Sequence, residues 1–166
     1  RIMGPAPCVL FSLNFSSVDV ESDLKVASGN LFGEISLWEC PLDVINSERR
    51  TLQAPATMVL SSHEGVIFKT RWNLDEKLLV SVADDRTVRV YNVEDPQEDT
   101  SREIFVGWGH VSRVWDAVFI EPRGSFLGPR VASSSEDGSI RVWDVTSQSC
   151  LACLRGHAGD IWRLCA

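Results

Sequence analysis

Two interlocked series of residues recur through this chain at intervals of about fifty, and no other feature limits its fold so tightly. The first series is a set of strand-closing aromatics, Trp38, Tyr91 and Trp143, spaced by 53 and 52 residues. The second is His63, His110 and His157, spaced by 47, each followed five residues later by an aromatic: Phe68, Trp115 and Trp162. The fullest copy is SSSEDGSIRVWD, from Ser133 to Asp144. It holds a small-residue strand end, an acidic turn at Asp137-Gly138, and an alternating strand closed by Trp143. Ser81 to Asn92, SVADDRTVRVYN, nearly repeats it, and Ser28 to Glu39, SGNLFGEISLWE, is a weaker copy. Self-similarity at this period is the mark of a repeat architecture whose units bury their apolar faces against one another.

Laid side by side, the strands that open the copies share an apolar pattern. Leu10, Leu13 and Phe15 match Ile67, Thr70 and Trp72, then Val114, Ala117 and Phe119, then Ile161, Leu164 and Ala166. These offsets break strict alternation, which predicts a β-bulge in each opening strand. The residue after the first apolar one is Phe11, Phe68, Trp115 or Trp162, and it should then point away from the core face. The expected units are residues 8–60, 63–107 and 110–155, with the first strand of another within 157–166. The remaining strands are expected at Leu24–Ala27, Ile35–Trp38, Thr57–Leu60, Leu78–Val82, Val88–Val93, Glu103–Val106 and Cys150–Leu154. Between them, Pro41 to Pro55, Glu94 to Ser101 and Glu121 to Arg130 read as connectors and a longer loop, the first with a short helical turn.

The His opening, the Ser-x-x-x-Asp turn and the strand ending in Trp-Asp resemble WD repeats, the four-stranded blades of β-propellers. The expected class is all-β: about three blades plus the first strand of a fourth. A closed propeller takes about four to eight blades, so 166 residues are expected to be part of a larger one.

Composition narrows the function classes. The net charge is −7, with 44% hydrophobic residues. No run of apolar residues is long enough to span a membrane as a helix, and Arg1-Ile-Met-Gly-Pro lacks the apolar core of a signal peptide. Five cysteines without framework spacing fit a reducing compartment, so a cytoplasmic protein is expected. No Gly-rich phosphate loop is present, and no cofactor is expected. The basic residues are interspersed with acids, which makes this stretch a weak candidate for phosphate-driven nucleic-acid binding.

His110, Ser133 and Asp137 have the residue types of a hydrolytic triad. The same types recur at matching offsets as His63, Ser81 and Asp85, and catalytic sets do not recur in every structural unit. The WD resemblance instead implies buried structural tetrads: His63, Ser81, Asp85 and Tyr91 in one unit, and His110, Ser133, Asp137 and Trp143 in the next. In each, the indole or phenol would reach Ser, Ser would reach His, and His would reach Asp. Tyr91 in place of Trp is expected to weaken the first of these. The opening unit, with Ala6 and Phe32 at the His and Asp places, should have none. Cys150-x-x-Cys153 before His157 suggests a metal site, but residues three apart on a regular strand face opposite ways, and no second Cys pair completes a tetrahedron. The aromatic series is a different matter. Aromatics with Arg are the composition of interaction hot spots, so Phe68, Trp115 and Trp162, with Arg113 and Arg86, are candidate partner-binding residues. Packing between adjacent blades is the competing reading of the same rings.

Several strings go beyond the general pattern: VASGNLFGEISLW (Val26 to Trp38), HEGVIF (His63 to Phe68), GHVSRVWDAVF (Gly109 to Phe119), and SEDGSIRVWD followed by RGHAGDIW. With the lead-in Ile2 to Leu10, they resemble the WD-repeat adaptor subunit of the tRNA ribose 2′-O-methyltransferase that modifies the wobble nucleotide. That resemblance implies a non-catalytic scaffold: the methyltransferase partner does the chemistry, and tRNA is held by the full-length protein. The alternative is a general WD scaffold of a ubiquitin-ligase, trafficking or chromatin complex.

Overall fold

A computed structural model describes residues 10–16, 23–41, 55–94, 102–120 and 128–165, without the side chains of Leu10 and Phe11. Twelve strands, β1 to β12, are formed among them. They are β1 Leu10–Phe15, β2 Leu24–Asn30, β3 Glu34–Cys40, β4 Met58–Ser61, β5 Ile67–Trp72, β6 Leu78–Ala83, β7 Val88–Asn92, β8 Glu103–Gly107, β9 Val114–Ile120, β10 Arg130–Ser135, β11 Ser139–Asp144 and β12 Ser149–Arg155. Each consecutive set of four makes one antiparallel meander, giving three sheets of identical topology. No helix occurs among the described residues, and none is therefore long and apolar enough to cross a membrane. The helical turn expected between Pro41 and Pro55 and most of the 121–130 loop lie outside the described residues, as does Ala6.

The middle sheet explains why β6, LLVSVA, reads as a nearly unbroken apolar run. On β6, Leu79 and Ala83 join a core with Ala27, Ile35, Leu37 and Leu60 of the first sheet. Val80 and Val82, on its other face, join a second core with Val114, Ala117, Phe119, Val131 and Trp143 of the third. A strand covered on both faces has no polar side to alternate with. The cores lie between sheets rather than within them, so each blade is stabilised mainly by its neighbour. The opening strands meet at one end of this stack, with β1 against β5 and β5 against β9.

All three opening strands carry the irregularity that the apolar offsets predict. In β1 the register jumps from Leu10↔Asn30 to Ser12↔Gly29, passing over Phe11. In β5 it jumps from Ile67↔Ala83 to Lys69↔Val82, passing over Phe68. In β9, Asp116 pairs with Ser134 and Val114 with Ser135, passing over Trp115. The outer strands have matching jumps that sequence patterning did not reveal, over Ile104 in β8 and Leu151 in β12. The second of these changes the expectation for the cysteines. Cys150 pairs with Trp143 and Cys153 with Arg141, two residues apart on β11, so both lie on one face rather than on opposite faces. The extra residue Leu151 restores the parity that a three-residue spacing would otherwise break.

Residues 157–165 run past the third sheet without forming a strand. They are held instead by Ile161 N–H to the Ser135 carbonyl (3.2 Å) and Leu164 N–H to Asp116 Oδ2 (3.0 Å).

Candidate functional site

The hairpin turns after β6 and β10 bring the polar series together. In the third sheet the Trp143 indole N–H donates to Ser133 Oγ at 2.8 Å. Ser133 Oγ lies 2.8 Å from His110 Nε2, and His110 Nδ1 lies 3.0 Å from Asp137 Oδ2. Burial holds the His110 imidazole below its ordinary range, against the opposing pull of Asp137. The ring is therefore neutral near pH 7, with its one proton on Nδ1, donated to the carboxylate, while Nε2 accepts from the serine hydroxyl. Asp137 also accepts the backbone N–H groups of Val111 (3.0 Å) and Ser139 (2.9 Å), and the Ser139 hydroxyl. Burial alone would raise this carboxyl. The hydrogen bonds from Ser139, Val111 and His110 outweigh burial and hold it well below the usual carboxylate range.

The second sheet repeats the arrangement up to its last member. Ser81 Oγ is 2.6 Å from His63 Nε2, and His63 Nδ1 is 2.8 Å from Asp85 Oδ2. Asp85 also accepts from Glu64 N–H (3.0 Å) and from the Thr87 N–H (2.9 Å) and hydroxyl (2.7 Å). It too is held below the usual range: burial opposes this, and His63 and Thr87 overcome it. Tyr91 is buried beside this set, yet its hydroxyl has no hydrogen-bond partner. Ser62 and Ser81 come near enough to oppose the upward push of burial on the phenol, but neither forms a well-directed bond with it.

The connectivity of Ser, His and Asp is that of a triad, but the setting is not. Ser81 and Ser133 are both fully buried, at 0% exposure. A nucleophile must meet its substrate beside an oxyanion site, whereas the lone pairs of Ser133 face an indole N–H inside a core. The arrangement satisfies polar groups between sheets and ties the turn to the strand behind it.

The first sheet has no such set among its described residues. Phe32, at the place of the turn Asp, is 73% exposed. The turn is built by Asn30 instead: its Oδ1 accepts from Phe32 N–H (2.8 Å) and Glu34 N–H (3.0 Å), and its Nδ2 donates to Glu34 Oε2 (2.9 Å). Ser28, at the place of Ser81 and Ser133, donates to the Ser12 carbonyl at 3.1 Å.

The aromatic series forms one stack. Phe68 and Trp115 have ring centroids 4.6 Å apart at 51°, and Trp115 and Trp162 are 4.6 Å apart at 23°. Phe68 and Trp115 are the residues passed over at the β5 and β9 register jumps. The stack borders a cavity of about 200 Å³ whose other walls are Lys69, Asp116 and Arg163. Sequence reasoning missed these three. Their only signal was position, one residue after each aromatic in every copy. Arg113 and Arg86 do not join the cavity wall. Arg113 Nε instead meets Asp84 Oδ1 at 2.6 Å, linking the entry to β9 with the β6–β7 turn. Arg86 sits exposed on that same turn, in the left-handed region at φ 68°. Cys40, Cys150, Cys153 and Cys165 are free thiols, and no group of three metal-ligating side chains occurs among the described residues.

A second link between blades joins β5 to β9. Asp116, 1% exposed, accepts Arg71 Nε (3.2 Å) and Nη2 (3.0 Å) as a fork. The same carboxylate takes the N–H groups of Ala117 (2.9 Å) and Leu164 (3.0 Å).

Comparison with known proteins fits this geometry. The family model "WD domain, G-beta repeat" matches residues 55–92, which hold β4 to β7, and 102–144, which hold β8 to β11. A tRNA (34-2′-O)-methyltransferase regulator WDR6 from Drosophila melanogaster is 30% identical over 145 residues, 85% of this chain and 14% of that protein. Its Mus musculus counterpart is 29% identical over 143 residues, 85% of this chain and 12% of that protein. The nuclear distribution protein PAC1 of Fusarium vanettenii is 29% identical over 157 residues, 93% of this chain and 30% of that protein. The chain thus spans only about a seventh of the length of the fly regulator. Three antiparallel four-stranded blades in series, two of them matched by that family's model, make this a WD-repeat β-propeller chain.

Proposed function

We propose that this chain is part of a non-catalytic adaptor that docks a tRNA 2′-O-methyltransferase subunit and helps present the wobble nucleotide of the anticodon loop. The observation that carries this reading is the similarity to methyltransferase regulators of fly and mouse across 85% of the chain, in a fold built for docking. In this reading Phe68, Trp115 and Trp162 are the partner-facing rings, and Arg113 and Arg86 offer charge on the adjoining turns. The protein acts in the cytoplasm, and tRNA is held by the full-length protein. The test is a pull-down of that protein, coupled to mass spectrometry of ribose methylation at the wobble nucleotide. Recovery of a methyltransferase, and loss of the modification on deletion, is the expected result. A pull-down without a methyltransferase, with methylation intact in the deletion strain, refutes it.

A second reading is a general WD scaffold, which the similarity to PAC1 over 93% of the chain fits less well. Stable partners from an unrelated complex in the same pull-down would select it.

A further inference from the structure

The cavity beside the aromatic stack has an imbalance of donors over acceptors. Its walls are Phe68, Lys69, Trp115, Asp116, Trp162 and Arg163. Neither the Lys69 ammonium nor the Arg163 guanidinium is in an ion pair among the described residues. The single carboxylate in the wall, Asp116, is already engaged by Arg71 and two backbone N–H groups. Two cations without ion-pair partners therefore line a partly enclosed space in a chain whose net charge is −7. Cations beside low-dielectric aromatic walls strengthen the attraction for an anion.

The stack also limits what the anion can be attached to. Trp115 is flanked at 4.6 Å by both Phe68 and Trp162, so a nucleobase cannot slide between these rings. Single-stranded nucleic acids are held by stacking on open rings and by many phosphate contacts. Here two cations stand within an acidic chain, and only Trp162, 61% exposed, offers an open ring. A single carboxylate on a short side chain suits the space, and the apolar flank of the stack suits an aliphatic neighbour in the same segment.

We propose that this groove binds an acidic side chain of a partner protein, with Lys69 and Arg163 neutralising the carboxylate and the rings of the stack flanking it. The inference rests on the reading of the chain as a docking module and supplies the chemistry of one contact.

The test uses the intact protein that carries these repeats and a fluorescein-labelled Glu-Leu-Glu-Leu peptide, with a Gln-Leu-Gln-Leu control and oligouridylate as competitor. Fluorescence anisotropy should show the Glu peptide binding at least about tenfold more tightly than the Gln peptide. Lys69→Glu with Arg163→Glu should weaken it by more than about tenfold, and Lys69→Ala with Arg163→Ala by less. Equal binding of the two peptides, no binding, or indifference to the charge reversals in folded protein overturns the proposal. So does displacement of the peptide by oligouridylate at comparable concentration, which would assign the groove to nucleic acid. Methyltransferase recovery that persists in the Lys69→Glu, Arg163→Glu protein, alongside lost peptide binding, leaves the groove assigned and separates it from the docking of that enzyme. Recovery that persists while the peptide fails to bind even the unaltered protein overturns the groove alone.

Discussion

Trp143 donates its indole N–H to Ser133 at 2.8 Å, and Tyr91, the residue at the same place one blade earlier, donates its hydroxyl to nothing. The two aromatics are buried almost equally, so exposure does not account for the difference. Trp143→Phe should destabilise the protein by about 1–3 kcal/mol, through the lost bond and the smaller ring. Tyr91→Phe should change stability by less than about 0.5 kcal/mol, or raise it, because it removes an orphaned hydroxyl. Urea denaturation of both variants checks the contrast, and equal losses would contradict it.

The pH dependence follows from the same groups. Burial keeps His110 neutral below the ordinary imidazole value of 6.5, so below that pH the unfolded chain binds a proton that the folded chain does not. Its contribution is complete above about pH 6.5 and is lost as the pH falls. Asp85 and Asp137 are held below the ordinary carboxyl value of 3.8, so their contribution is lost in turn below that pH. Melting temperature should therefore fall in two stages on acidification. The upper stage should disappear in His110→Gln, and a melting temperature that rises from pH 7 toward pH 5 in the parent would contradict the assignment.

Arg71 is the principal counter-charge of a carboxylate that is 1% exposed. Arg71→Leu leaves Asp116 with only backbone donors and should cost about 2 kcal/mol. Arg71→Leu with Asp116→Asn should recover part of that loss, since the uncompensated charge is then gone. A double-mutant cycle read by chemical denaturation measures the coupling.

Gly33 lies at φ 80°, and a Cβ there would overlap the carbonyl oxygen of His63 on the neighbouring blade. Gly33→Ala should therefore cost about 2–3 kcal/mol, combining backbone strain with a clash against main chain that cannot rotate away. The Gly138→Ala variant has nearly the same φ, 72°, but only tight contacts with the His157 and Gly159 carbonyls, and should cost less. Thermal melts of the two rank the contributions of strain and contact.

The architecture was legible because the repeats index one another. The offset from Ile67 to Thr70 to Trp72 would be ambiguous in one strand, but its recurrence at Val114, Ala117 and Phe119 marks the bulge, and the register jumps fall there. The faces of β6 could not be read, since Leu79, Val80, Val82 and Ala83 are apolar on both sides and only the neighbouring sheets assign them. The cavity wall was illegible for another reason. Lys69, Asp116 and Arg163 share a place but not a charge, so a search for recurring chemistry passes over them. The Cys150 and Cys153 faces were misread because the jump at Leu151 has no apolar signature of its own.

The extra residue in β5 and β9 leaves the two ends of each strand out of phase. Ile67 and Val114 keep time with the hairpin only because one position ahead of them is not counted. Losing the codon for Phe68 or Trp115 would straighten the strand and leave the pairs nearest the hairpin turn, Trp72 with Leu79 or Ile120 with Arg130, at their addresses. Losing the codon for Thr70 or Ala117 would swap inside for outside in everything between it and the strand's start. Tolerance to single-codon loss in these blades is thus set by where a strand stores its phase, and two equally ordered neighbours can differ in it completely.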